Sequence, residues 1–279
     1  MNEPQCFIMN GYMTGAHAPF KHRYLALPKL TKNCMIAFAK SVKTIRQYAK
    51  TPPKIGVAFA SGAYVPQNET HEALETARKK SFETGLGLMS NRWWCDPILL
   101  GNPVSAYGVF RIGKKTAEKV KCDLDFIGVN VYQPFAEGSW GNKPNTDLPE
   151  EKLTSLGWVI DERVLYYTVK FFYERYKLPV MVTENGMADH DVLTPDGVHD
   201  EKRRRFIVAF LGQLKKAVDE GVPVLGYQYW SLTDNFEWAE GYGPRFGLIH
   251  VDYQTQRRTV KDSGLCYADI IRTNGEYLC

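Results

Sequence analysis

The chain has 279 residues, 44% hydrophobic and 24% charged, which is ample for one large α/β domain or two smaller ones. A net charge of +4 is too mild to argue for nucleic acid, and no apolar stretch approaches the ~18 residues of a membrane span. Six cysteines scattered singly, with no Cys-x-x-Cys pair, argue against structural zinc and for a reducing, cytoplasmic setting; no leader pattern follows Met1.

The chain opens Met1-Asn2-Glu3-Pro4, with no strand ahead of the glutamate, so the Asn2–Glu3 tip is expected to be mobile. Residues 30–50 place Ile36, Ala37, Ala39, Val42, Ile45 and Ala49 at helical spacing, and Thr51-Pro52-Pro53 stops that helix. Residues 55–60 read as a buried strand. A helix from His71 to about Asn91 precedes a Gly/Pro-rich excursion from Asp96 to Gly113. Residues 125–132 form the next strand, a polar loop covers 133–157, and a helix runs from Asp161 to Tyr176. A third strand, 179–183, ends at Glu184. Helix 200–220 follows, and its basic run Lys202-Arg203-Arg204-Arg205 reads as a solvated face. A fourth strand spans 222–230, and a last helix covers about 262–273.

Strands alternating with amphipathic helices predict a parallel α/β fold. The polar candidates Asn130, Tyr132, Glu184 and Trp230 fall at strand C-terminal ends, where (β/α)8 barrels carry their sites. A barrel needs eight strands, and a sheet of four leaves two open edges. The expectation is therefore a partial TIM barrel, roughly the last four strand–helix units. It would be a single domain over 1–279 lacking its N-terminal strands, able to self-associate through its open edges.

Glu3 and Glu184 suggest a chemistry, because cleavage of a glycosidic bond commonly uses two carboxyl groups flanking one bond. Six tryptophans supply either sugar-stacking faces or a large aromatic core. The six histidines show no metal-ligand spacing, and neither a phosphate loop nor a Gly-x-Ser-x-Gly elbow is present, so no metal and no cofactor is expected.

Further motifs stand in a fixed order: Asn2-Glu3-Pro4, Asn130-Val131-Tyr132, Leu156-Gly157-Trp158, Thr183-Glu184-Asn185-Gly186, and Tyr229-Trp230-Ser231 through Asn235-Phe236-Glu237-Trp238 to Tyr242. Arg245-Phe246-Gly247-Leu248 and Val251-Asp252-Tyr253 complete the series. Together they resemble glycoside hydrolase family 1, the β-glucosidase family, over the whole chain but only over the later part of the family's barrel.

The resemblance implies a retaining hydrolase of terminal non-reducing β-D-glycosidic bonds, acting in carbohydrate catabolism on a small β-glucoside or oligosaccharide. Glu184 resembles the nucleophile and Glu3 the general acid/base. Retention requires their carboxyls roughly 5–5.5 Å apart, against ~6.5–9.5 Å for inversion. It also requires Glu3 to hold its proton near neutral pH, helped by burial and by the charge of Glu184. Asn2 resembles the donor to the sugar 2-hydroxyl. Tyr132 resembles the phenol that aims the nucleophile, on the same strand face as Asn130, although Val131 replaces the family's usual first tyrosine. Trp230 and Trp238 resemble apolar faces for the non-reducing sugar, with Glu237 accepting two hydroxyls and Phe246 as a nearby wall. Trp158 resembles the aglycone platform, with core packing as its other reading. The carboxylate of Glu237 favours a neutral over a 6-phosphorylated hexoside. A sugar-binding remnant without catalysis is the competing reading.

Overall fold

The computed structural model describes residues 1–135, 147–276 and 278; the centre of the predicted 133–157 loop therefore lies outside the described residues. Its frame is a parallel sheet of β1 (Ala58–Ser61), β4 (Ile127–Val131), β5 (Val180–Asn185) and β6 (Val224–Tyr229), lying side by side in that order. Between β1 and β4 the chain makes a short antiparallel hairpin, β2 (Val104–Ala106) with β3 (Phe110–Ile112). After β6 it makes another, β7 (Ile249–Val251) with β8 (Arg258–Val260). Adjacent parallel strands joined through helices are the repeating unit of an α/β barrel, and the four are the expected later strands.

The helices are α1 (Pro4–Tyr12), α2 (Leu27–Tyr48), α3 (His71–Ser81), α4 (Asn91–Cys95), α5 (Lys114–Val120), α6 (Arg163–Tyr176), α7 (Glu201–Asp219) and α8 (Asp262–Arg272). Their ends follow local chemistry. Thr70 caps α3 by accepting from the Ala73 N–H at 3.3 Å, Glu72 lies in its first turn, and Arg78, Lys79 and Lys80 lie in its last. Arg46 closes α2 onto the sheet, donating to the Pro53 carbonyl and, at 2.7 Å, to Asp125.

Four expectations need correction. The Asn2–Glu3 tip is not left without a strand to lie against. Asn2 pairs in parallel with Ala58, the Glu3 N–H donates to the Ala58 carbonyl at 3.0 Å, and Ala58 donates to that of Met1 at 3.2 Å. Two backbone bonds and the start of α1 at Pro4 thus fix the tip on the edge of β1. The buried stripe of α2 is Leu27, Thr31, Met35, Phe38 and Val42, whereas Ala37, Ile45 and Ala49 are exposed. The larger side chains take the core and turn the helix away from the alanines. The helix expected over 71–91 stops at Ser81, and a 3₁₀ stretch that includes Gly87 at φ 58° separates it from α4. Finally, Arg203 in the supposedly solvated basic run is completely buried.

The core sits on both faces of the sheet: every residue of β4 is buried, as in strands covered on two sides. Trp93 and Trp94 are fully buried, and the Trp94 indole donates to the Leu88 carbonyl at 2.7 Å. For these two tryptophans the core reading holds.

Candidate active site

The C-terminal ends of β1, β4, β5 and β6 converge on Glu3 and Glu184. Glu3 stands before α1 with φ 39° and ψ 57°, a left-handed backbone that is unfavourable for a side chain with a Cβ by about 1–2 kcal/mol. Pairing with β1 behind it and Pro4 ahead of it hold that conformation. Glu184 lies near the end of β5, opposite Asn130, at a register shift between Val129 and Asn130. Such an irregularity re-aims side chains at a strand end.

Asn130 connects the two carboxylates. Its Nδ2 donates to Glu3 Oε1 at 2.9 Å and to Asn2 Oδ1 at 3.0 Å, and Asn2 Nδ2 donates to Glu184 Oε1 at 3.2 Å. Thr183 Oγ1 donates to Asn130 Oδ1 at 2.6 Å, which fixes the amide with its N–H groups toward the acids. Tyr132 donates its phenol to Glu184 Oε2 at 2.8 Å. Asn185, one residue past the nucleophile candidate, ties three strands together: it donates to the Val131 carbonyl at 2.6 Å and accepts from the Tyr227 hydroxyl at 2.8 Å. Gly186 is required by close approach, since a Cβ there would lie 1.9 Å from the Trp230 carbonyl oxygen.

Burial, and then the charge of Glu3, push the Glu184 carboxyl up from its ordinary value to about 7. Donors from Tyr132, Asn2 and Asn130 oppose the rise. Burial, followed by the negative charge of Glu184, drives the Tyr132 phenol well above its usual range, so it stays a donor. Removing that donor in Tyr132→Phe is expected to move Glu184 further up by roughly one to two pH units, the equivalent of one hydrogen bond to a charged group. A carboxyl-carbon NMR titration reads this directly.

Trp230, Glu237 and Trp238 rise from the loop after β6. The Trp230 indole is hydrogen-bonded to the half-buried Glu237, whose carboxyl burial raises. Trp238 is 67% exposed and stacks on His17 with ring centroids 5.7 Å apart. Phe246 departs from the expected sugar wall, for its ring is buried and packs against Tyr132 at 6.3 Å and Trp158 at 6.0 Å. It backs those two rings. Trp158 meets Tyr132 edge-on at 5.3 Å and remains half-buried, so one ring packs while keeping a partly open surface. Hydrogen bonds, ring contacts and the electrostatic reach of Glu237 to Glu3 and Tyr132 link nine of the ten predicted positions, whereas Trp238 meets His17. Thr183 was missed, although its place beside Glu184 on a strand end was a readable signal. Among the described residues no group of three or more His, Cys, Asp or Glu is placed to hold a metal ion.

The family model for glycosyl hydrolase family 1 matches residues 1–276. The chain belongs to this family. It is 36% identical over 289 residues to β-glucosidase A of Thermotoga maritima, an alignment covering 99% of this chain and 63% of that protein. A solved family 1 β-glucosidase from Thermotoga maritima superposes with a TM-score of 0.84 at 34% identity, over 99% of this chain and 63% of that one. A β-glucosidase from the same organism, solved in complex with deoxynojirimycin, gives 0.82 at 34% identity and the same coverage. The fold is accordingly part of a (β/α)8 barrel, and this family 1 chain spans about 63% of the length of the curated relatives it matches.

Proposed function

We propose that the cleft hydrolyses terminal non-reducing β-D-glycosidic bonds of a neutral β-glucoside or short oligosaccharide, with retention of configuration. Glu184 attacks the anomeric carbon while Glu3, protonated, gives its proton to the leaving oxygen. Glu3, then ionised, takes a proton from the water that opens the glycosyl-enzyme. Asn2 and Asn130 hold the acids and reach the sugar's 2-hydroxyl side, Trp230 and Trp238 line the ring, and Glu237 accepts its hydroxyls. The observation that carries this reading is the shared amide network linking Glu3 to Glu184, capped by the Tyr132 phenol. The complex of the Thermotoga maritima relative with deoxynojirimycin supports a sugar-shaped ligand.

The reading treats the chain as one domain, an incomplete barrel, and keeps the cytoplasmic setting drawn from its scattered cysteines. A second reading, sugar binding without turnover, is favoured by the 63% span and by the exposed side of Asn2. Pairing of two copies through the outer edges of β6 and of the Met1–Glu3 segment would close those edges, and sedimentation at rising concentration reads it. The purified chain is tested on nitrophenyl β-glucoside beside its Glu184→Ala variant. Hydrolysis by the parent alone, with the first product in the β configuration by NMR, is the expected result. Equal background rates with retained deoxynojirimycin binding would select the binding-only reading.

A further inference from the structure

A buried chain of alternating charges is drawn from distant parts of the sequence. Asp200 and Arg203, at the start of α7, pair with each other. The Arg203 guanidinium also meets Asp191 through two contacts, at 3.0 and 2.8 Å. Asp191 accepts from Lys261, and Lys261 Nζ also donates to Asp234 Oδ1 at 2.8 Å. Asp234 Oδ2 closes the series on Arg245 at 2.5 Å. Three cations meet three anions, and the side chains of Arg203, Lys261, Asp200 and Asp234 are fully excluded from solvent.

The series joins two segments that reach the cleft. Asp191 ends the stretch that begins at Glu184, and Arg203 extends its hold by donating to the Arg245 carbonyl at 2.7 Å. Asp234 lies between Trp230 and Glu237 and also accepts from the backbone N–H of Gly247 at 2.9 Å and of Val251 at 3.2 Å. Lys261 bridges Asp191 and Asp234. Buried ion pairs are weak sources of stability, because desolvation offsets their attraction, but they can select one geometry where apolar contacts would slide. A fully satisfied and charge-balanced series fits that second role.

We propose that Lys261 is a positioning residue for the cleft: through Asp191 and Asp234 it holds the segment following Glu184 and the segment carrying Trp230 and Glu237 at one fixed separation. The proposal rests on the sugar-site reading only for what those segments hold; the coupling itself does not need it. The decisive variant is Lys261→Met with Asp191→Asn. It cuts the series at its centre yet leaves Asp200–Arg203 and Asp234–Arg245 as two balanced pairs.

In the folded double variant, amide hydrogen exchange over 184–191 and over 231–245 is expected to speed up together by about tenfold or more, with β4 and α6 unchanged. Deoxynojirimycin binding should weaken by a similar factor. Lys261→Arg keeps the charge but changes the reach, so it should give the same pattern at roughly threefold amplitude; it serves where the double variant does not fold. Lys215→Met with Asp219→Asn, which removes an exposed pair on α7, should change nothing. Wild-type protection in both segments overturns the proposal, as does protection lost evenly across β4, α6 and the two segments. The exchange comparison decides the role of Lys261 even where the unaltered chain binds no deoxynojirimycin, a result that would count against the sugar-site reading alone.

Discussion

Glu184→Gln is expected to stabilise the folded chain at pH 8 by on the order of 3 kcal/mol, and to remove hydrolysis. The Glu184 carboxyl sits at about 7 in the fold against an ordinary 4.5, because burial and then Glu3 disfavour its charge. A carboxyl raised on folding contributes most to stability below its unfolded value. That contribution is lost as pH climbs from about 4.5 to about 7, at about 1.4 kcal/mol for each pH unit between the two values. Glutamine carries no charge at any pH, so the variant escapes the loss. At pH 4, where the native carboxyl is neutral, the two proteins should melt alike. At pH 8 the variant should melt roughly 5–10 °C higher. Turnover should fall by roughly 10⁴-fold or more, since an amide does not serve as the attacking carboxylate. Equal melting temperatures at pH 8 would mean that Glu184 is not held in a charge-averse site. Persistent hydrolysis would remove its assignment as nucleophile.

Burial and the charge of Glu3 raise the Glu184 carboxyl, the nucleophile candidate, to about 7. Sequence position gives the order of the strands but not how far each acid is buried. What was legible came from periodicity and strand ends. Apolar runs at 125–132 and 179–183 set the lengths of β4 and β5, and with them the side chains at their tips. Strand ends gave the positions of Asn130, Tyr132 and Glu184, and the family resemblance placed Tyr132 beside Glu184.

The remainder was hidden for different reasons. The β7–β8 hairpin has three residues in each strand, too few for alternation to register. The basic run reads Arg203 as solvated with its neighbours, but the spacing Arg203, Phe206, Ile207, Phe210, Leu214 puts it on the buried stripe of α7. Charge outweighed phase in that reading, and phase was right. Arg203 pairs with Asp200 and Asp191, and Asp191 in turn meets Lys261, which meets Asp234; segments so far apart along the chain are paired only by the closed tertiary structure.

Glu3→Gln should separate substrates by their leaving groups. A protonated acid is needed when the departing oxygen is a poor leaving group, such as a sugar hydroxyl, and contributes typically 10²–10⁴-fold. A nitrophenolate departs largely unaided. For a glucosyl-glucose substrate the variant should therefore lose roughly 10²–10⁴-fold in kcat/KM, and for nitrophenyl β-glucoside less than about tenfold. The same variant lacks the base for the second step, so nitrophenol should appear in a burst followed by slow turnover, with a lowered KM as the glycosyl-enzyme accumulates. The Asn130 amide that donates to Glu3 Oε1 at 2.9 Å can still donate to the glutamine carbonyl, which keeps the tip in place. Loss of the Glu3 charge should also bring the Glu184 carboxyl down from about 7, but only part of the way to 4.5, because burial is the larger cause of its rise. The acid limb of the pH profile for the first step should shift down accordingly. Equal losses for both leaving groups would show that Glu3 shapes the cleft without transferring a proton, and the two-carboxyl mechanism would then need another acid.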